Sequence, residues 1–168
     1  AQALNSFVDG LSNWYVRRSR ARFWGAEMDA DKRDAYATLY ESLTTVAALA
    51  APFTPFMAEE IYRNLVRRPF PDAAESVHLT GLPIEDEARI DRRLSEEMAA
   101  VRNIVSLGLR VRTERRLKVR QPLYRAEVVL GDEELRRRLA PYLALVSEEL
   151  NVHLTELTPA EEAHVRFV

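Results

Sequence analysis

The sequence contains no cysteine, five glycines and only two lysines among its 168 residues. The absence of cysteine excludes disulfides, thiolate nucleophiles and cysteine-ligated zinc, and it fits a reducing compartment, which we expect to be the cytoplasm. The glycines, at positions 10, 25, 81, 108 and 131, are too scattered for a phosphate-cradling loop or a dinucleotide fingerprint. No apolar run approaches the roughly 20 residues that span a bilayer, and no signal-peptide pattern opens the chain.

The chain as a whole also lacks an excess of positive charge. Its 24 cationic and 26 acidic residues give a net charge of −2, although 22 of the cations are arginine. Hydrophobic residues make up 47% and charged residues 30%, which is ordinary for a globular protein. Because the flat, forked guanidinium suits phosphate and base contacts, the distribution of arginine along the chain carries the information.

No constellation of side chains indicates catalysis. The three histidines, at positions 78, 153 and 164, lack metal-ligand spacing. Adjacent glutamates on a helix diverge by about 100°, so they do not converge on one substrate atom. We interpret three such pairs as solvated helix faces: Glu59–Glu60, Glu96–Glu97 and Glu148–Glu149. The sequence therefore predicts no catalytic residue and no metal site.

Helical periodicity dominates the first 116 residues. The first 25 residues are predicted to form one long helix, because their apolar residues fall in one stripe at about 100° per residue. Asp31 is expected to cap a second helix that Pro52 ends, and Thr54 with Pro55 to begin a third that ends before Pro69. Residues 69–86 are predicted to form an extended connector, and residues 87–116 a fourth helix.

The hydrophobic period changes after residue 120. Ala126–Leu130 and Val152–Leu157 are predicted strands, parallel if they are neighbours, with a helix over Glu133–Leu150 between them and a third strand over Val165–Val168. The predicted fold class is mainly α: a helical bundle over residues 1–120, followed by a small α+β unit over residues 121–168.

The first helix carries a basic and aromatic segment. Residues 13–24 hold four arginines, four aromatic residues and no acid. At about 100° per residue, one face lies opposite the apolar stripe and consists of Asn13, Arg17, Arg20 and Trp24. Arg18 and Arg22 fall in register with the stripe, so either the helix projects beyond the core or these arginines pair with carboxylates at its edge. The alternative for the segment is a helix held by Trp14 and Tyr15 with solvated arginines.

A second basic segment follows the fourth helix. Seven cations and one acid give residues 110–125 a charge of +6. Cations beside aromatic planes supply what an RNA-binding surface needs, since they offer charge for phosphates and flat faces for unstacked bases. The alternative is a solvated helix end. The candidate RNA contacts in this segment are Arg112, Arg116, Lys118 and Arg120.

Four blocks of sequence resemble one family. Residues 13–20 read Asn-Trp-Tyr-Val-Arg-Arg-Ser-Arg, and residues 51–62 form a proline- and phenylalanine-rich run ending in Glu-Glu-Ile-Tyr. Residues 76–79 read Ser-Val-His-Leu, and residues 118–123 read Lys-Val-Arg-Gln-Pro-Leu. In this order the blocks resemble the anticodon-binding region of isoleucyl-tRNA synthetases, which are class I enzymes. The second block alone is also similar to valyl, leucyl and methionyl relatives.

The resemblance implies that the chain binds isoleucine transfer RNA for a catalytic domain of the same parent chain. The parent would use ATP and magnesium, whereas no cofactor is implied for these residues. Neither the His-Ile-Gly-His nor the Lys-Met-Ser-Lys-Ser block of the family is present, so we expect no aminoacylation by this chain alone.

The resemblance also implies that residues 52–56 form a helix–helix corner with Phe53 and Phe56 buried. A family helix that would precede the first helix is missing, so we expect an open apolar groove and self-association of the chain. The alternatives are the matching domain of a valyl or leucyl enzyme, or a helical protein-interaction module.

Overall fold

A computed structural model of the chain describes residues 2–159 and 164–167. The chain divides into two compact units, Ala1–Asp86 and Glu87–Val168. The first is helical, and the second combines helices with a three-stranded sheet. Helices predominate, which confirms the predicted fold class. In the part of the chain described, no helix is long and apolar enough to cross a membrane.

The first unit contains four α-helices. They are α1 (Gln2–Gly10), α2 (Arg20–Trp24), α3 (Ala30–Ala50) and α4 (Pro55–Tyr62). A π-helical turn over Leu11–Val16 follows α1, and another over Arg63–Arg67 follows α4. The connector carries one 3-10 turn, Val77–Leu79.

The prediction of one continuous helix over the first 25 residues is wrong. The π-helical turn Leu11–Val16 interrupts the regular hydrogen-bond ladder, and the chain turns again at Ser19, which is buried. A π-helical turn spaces its hydrogen bonds five residues apart, so the angle of 100° per residue does not hold through it. Hydrophobic spacing carries no direct signal of such a turn.

The caps of α3 and α4 follow local side-chain chemistry. The Asp29 carboxylate accepts a hydrogen bond from the Lys32 backbone N–H at 2.8 Å and caps α3. The prediction that Asp31 is the cap is therefore wrong, because Asp31 already lies in the first turn and pairs with Arg22. Thr54 and Pro55 begin α4 as predicted.

The connector packs on α4 through polar and apolar contacts. Glu59 accepts hydrogen bonds from the Ser76 hydroxyl at 2.7 Å and the Val77 backbone N–H at 3.1 Å, and these bonds lower the pKa of its carboxyl. The Tyr62 hydroxyl donates to the Ala74 carbonyl at 2.9 Å. Glu59 is therefore a structural acceptor, and its interpretation as part of a solvated face is wrong.

The aromatic corner expected at residues 52–56 is not buried. Phe53 is 67% exposed and Phe56 is 90% exposed. The core beneath them is built from Ala51, Ala58, Tyr62 and Val77. The prediction of buried rings is wrong, because small residues close the turn between α3 and α4 and the phenylalanines point away from it.

The second unit begins with a 3-10 turn, Glu87–Arg89, and the long helix α5, Arg92–Glu114. Its remaining elements are β1 (Leu123–Val129), α6 (Glu133–Leu139), a 3-10 turn (Ala140–Tyr142), α7 (Leu143–Leu150), β2 (Val152–Thr158) and β3 (His164–Phe167). The predicted helix over Glu133–Leu150 is thus divided in two around Pro141, whose ring is disfavoured in a helix interior.

The sheet has the strand order β2-β1-β3. β1 pairs with β2 in parallel, with Ala126 opposite Thr155, as the intervening helical crossover predicts. β3 pairs antiparallel with β1, and Val168, the last residue of the predicted third strand, lies outside the described residues.

α5 packs with the sheet unit rather than with the helices that precede it. It contacts α6, α7 and β3, and Val101, Val105 and Gly108 are buried on one of its faces. For this reason the compact division falls after residue 86, whereas the sequence places a boundary at residue 120.

A buried carboxylate joins α5 to α6 and to the 3-10 turn that follows. Glu97 accepts hydrogen bonds from Arg93 Nε at 2.9 Å, Arg138 Nε at 3.0 Å and the Tyr142 hydroxyl at 2.8 Å. Those bonds lower the pKa of the Glu97 carboxyl to about 2. The interpretation of Glu97 as part of a solvated face is also wrong.

Candidate nucleic-acid interface

The first basic segment presents polar side chains along the π-helical turn. Asn13 Nδ2 donates to Asp9 Oδ1 at 2.6 Å, and Arg17 Nε donates to the Asn13 carbonyl at 2.8 Å. Both side chains are exposed. Arg17 therefore lies over the backbone of Asn13, which brings these two candidates together.

Arg20 and Trp24 lie on the short helix α2, beyond the turn at Ser19. Arg20 is exposed, and the Trp24 indole is 83% exposed at the end of the helix. An exposed indole beside a cation is the arrangement that stacks an unpaired base, and such stacking contributes about 1–3 kcal/mol per base.

Aromatic contacts hold this segment to α3. The Tyr15 hydroxyl donates to the Ala35 carbonyl at 3.0 Å, and the Phe23 ring lies 5.0 Å from the Tyr36 ring. Tyr15 and Phe23 also meet edge to face, with ring centroids 6.3 Å apart. The segment is thus anchored through one side, while the four candidates stay in solvent.

The two arginines in register with the apolar stripe are held within the protein. Arg22 Nε donates to Asp31 Oδ2 at 2.8 Å, and this bond raises the pKa of Arg22. The Arg18 guanidinium lies 5.7 Å from the centre of the Trp14 ring, within the range of a cation–π contact. For Arg22, pairing with a carboxylate at the edge of the core is the alternative that the structure supports.

In the second segment, the prediction that Arg112 contacts RNA is wrong. Its side chain is completely buried, and burial lowers the pKa of its guanidinium. NH1 donates to the Leu150 carbonyl at 3.1 Å and NH2 to the Lys118 carbonyl at 2.7 Å. The sequence carried the signal, since residue 112 follows Val101, Val105 and Gly108 on the buried face of α5.

The other three candidates lie in solvent on the turn between α5 and β1. Arg116, Lys118 and Arg120 are exposed. Arg116 adopts a left-handed backbone conformation with φ of 56°, which is uncommon outside glycine and marks the end of the helix. Arg115, which was not among the candidates, is exposed beside them.

Other cations of this segment are paired with acids. Arg110 lies 3.6 Å from Glu114 on the same helix, and Arg125 bridges Glu127 and Glu156 on the sheet. The local excess of positive charge that faces solvent is therefore concentrated on residues 115–120 rather than spread over residues 110–125.

Within residues 2–159 and 164–167, no group of three or more histidine, aspartate or glutamate residues lies close enough together to hold a metal ion. The described residues therefore do not fit a magnesium site, and we derive no chemistry from one.

Comparison with known proteins matches residues 1–130 to a family described as the anticodon-binding domain of tRNA ligase. The chain is similar to isoleucine–tRNA ligases of Dehalococcoides mccartyi strain 195 (52% identity over 89% of the chain), Thermus thermophilus (46% over 96%) and Clostridium novyi (45% over 99%). It spans only 15–16% of the length of these relatives. With more than half of its residues matched, the chain belongs to the family of anticodon-binding domains of tRNA ligases.

Proposed function

We propose that this chain binds the anticodon region of isoleucine transfer RNA and positions it for a catalytic domain elsewhere in the parent polypeptide. The observation that carries the proposal is the exposed Trp24 indole on a helix whose neighbours Arg17 and Arg20 also face solvent. The exposed turn at residues 115–120 supplies a second cationic surface. The similarity to isoleucine–tRNA ligases supports the choice of amino acid.

The parent reaction, ATP-dependent aminoacylation with magnesium, would take place on residues outside this chain, in the cytoplasm where transfer RNA is charged. The residues described here contribute binding energy and orientation. Cations that meet phosphates fix the register of the RNA, whereas base contacts such as stacking on Trp24 distinguish one loop from another.

Filter binding of the chain to isoleucine and valine transfer RNA, each at two salt concentrations, tests the proposal. Counterion release makes affinity fall steeply with salt when cations meet phosphates. We expect this steep fall and tighter binding of isoleucine transfer RNA. Preference for valine transfer RNA would favour the valyl alternative, and affinity insensitive to salt would contradict RNA binding by these surfaces.

The double change Arg17→Ala with Arg20→Ala tests the first segment. If each arginine meets one phosphate, the slope of log affinity against log salt decreases by about two. Exposed substitutions usually cost under about 0.5 kcal/mol, so the melting temperature stays nearly unchanged. Arg137→Ala is the matched control, since it removes an exposed arginine of α6 outside both segments. An unchanged slope in the double variant would contradict the assignment.

A protein contact is the second candidate function, and an apolar groove in the first unit favours it. The groove has a volume of about 660 Å³ and is lined mainly by apolar side chains of α1, α3 and α4, including Leu4, Val8, Ala47 and Ile61. We propose that a second copy covers it when the chain is isolated. Light scattering across a concentration series checks this, and a strict monomer at high concentration would contradict it.

A further inference from the structure

The turn between α5 and β1 has an unusual backbone arrangement. Three of its carbonyl groups, those of Lys118, Val119 and Gln121, point inward to the same buried guanidinium, that of Arg112. NH1 of that guanidinium also donates to the Leu150 carbonyl at the end of α7. One side chain therefore fixes both the turn and the helix end beside it.

Asn151 holds the same turn from the other side. Its backbone is left-handed, with φ of 51°, and it ends α7. Its side-chain Nδ2 donates to the Val119 carbonyl at 2.9 Å, and its backbone carbonyl accepts from the Leu123 N–H at 3.1 Å. Two residues from separate helix ends thus bind the carbonyl groups of residues 118–121.

Inward carbonyls change what the turn offers to a ligand. Carbonyl oxygens carry partial negative charge and repel phosphate, and here they are occupied by donors inside the protein. The side chains of Arg116, Lys118 and Arg120 face solvent at the same positions. The turn therefore presents cations, with several of its acceptor groups withdrawn.

We infer that Arg112 and Asn151 are positioning residues that hold residues 115–121 as a preformed phosphate-binding turn for RNA. This inference rests on the proposed function. Binding by a preformed turn avoids the ordering cost that a mobile basic segment would incur on association. Arg112 therefore serves RNA binding without touching RNA.

Asn151→Gly is the decisive variant. Glycine adopts positive φ without strain, so the end of α7 is kept while the bond to the Val119 carbonyl is lost. We expect faster amide hydrogen exchange at residues 117–121, a nearly unchanged melting temperature and about tenfold weaker binding of an isoleucine transfer RNA transcript. The salt slope should not change, because every cation is still present.

Two further variants separate positioning from charge. Arg112→Lys keeps the charge but replaces the guanidinium fork with a single ammonium, so it should also weaken binding at unchanged slope. Lys118→Ala with Arg120→Ala removes two charges and should lower the slope by about two while leaving amide exchange in the turn unchanged.

The outcomes distinguish the inference from the proposed function. If the charge variant weakens binding and Asn151→Gly loosens the turn without weakening binding, positioning is overturned while RNA binding by the turn stands. If Asn151→Gly leaves amide exchange in the turn unaltered, the Asn151 bond does not hold the turn and the inference also fails. If the charge variant binds like the unmodified chain, the turn does not contact RNA and both fail.

Discussion

The two compact units bury different kinds of side chain. The buried residues of the first are mostly alanines, whereas the second buries branched aliphatic side chains from α5, the sheet and α7. Because apolar stabilisation scales with buried area at roughly 25 cal/mol per Å², an alanine core contributes little per residue. In the first unit the buried hydrophobic residues are Ala35, Ala47, Ala51, Ala58, Tyr62 and Val77.

The large apolar residues of the first unit remain largely at its surface, among them Phe53, Phe56 and Met57. The second unit therefore carries its own core, and the first leaves apolar surface for a partner. Both tryptophans, Trp14 and Trp24, lie in the first unit, so tryptophan fluorescence follows that unit and circular dichroism follows both.

Leu150→Ala should have the largest effect on stability. Leu150 is fully buried in the second unit, and truncation of such a leucine costs about 3–5 kcal/mol. In urea, we expect the circular dichroism transition of the second unit to move while the tryptophan transition stays in place. Leu82→Ala, at an exposed leucine of the first unit, should cost under about 0.5 kcal/mol. Equal shifts in both signals for Leu150→Ala would show that the units unfold together and would break the comparison.

Gly108→Ala should follow in size. A Cβ atom at this position would lie 2.6 and 2.8 Å from the Leu150 methyl carbons, so the side chain must shift within a packed core. Overpacking costs about 1–3 kcal/mol, and the better helix propensity of alanine offsets up to about 1 kcal/mol of it. Gly81→Ala is the control, because nothing lies within 4 Å of its Cβ position. A Gly108→Ala chain as stable as the unmodified one would show that the core has room.

Glu97→Gln tests the carboxylate that joins α5 to α6. Since the folded pKa is lowered from 4.5 to about 2, the carboxylate contributes stability above pH 4.5 and loses it as the pH falls toward 2. The variant should be less stable at neutral pH and show a flatter acid limb in melting temperature against pH. The two curves should converge near pH 2. Glu96→Gln, at an exposed carboxylate that meets only Arg138, should retain the steep limb.

Asp29→Ala should have the smallest effect of the four, and it falls in the first unit. Loss of the N-cap of α3 costs about 1 kcal/mol. Asp31→Ala removes an exposed ion pair with Arg22 and should cost about 0.5 kcal/mol or less. Thermal unfolding followed by tryptophan fluorescence ranks the two variants. A larger effect at Asp31 would contradict the assignment of the cap.

Sequence reasoning succeeds where one local rule decides the structure. Thr54 and Pro55 begin a helix, and the alternation at residues 126–130 places a strand there. The parallel pairing of β1 and β2 follows from the length of the helical crossover between them. Each of these features depends on a short stretch of chain.

Sequence reasoning fails where distant residues compete for the same role. Phe53 was expected in the core because large rings are usually buried, yet alanines fill that place. Arg112 was grouped with its basic neighbours in sequence, although its position on α5 aligns it with Gly108 and the carbonyl of Leu150. Charge counts along a chain do not show which cations are engaged by backbone acceptors.

The π-helical turn at Leu11–Val16 makes this part of the chain sensitive to length as well as to composition. Such a turn accommodates one more residue than the regular helix would hold between hydrogen-bonded partners. Deletion of a single residue there would restore a regular helix and rotate everything after it by about 100° relative to α1. Tyr15 could not then reach Ala35 while α1 kept its place. A one-residue deletion in this turn should therefore be less tolerated than almost any substitution on its exposed side.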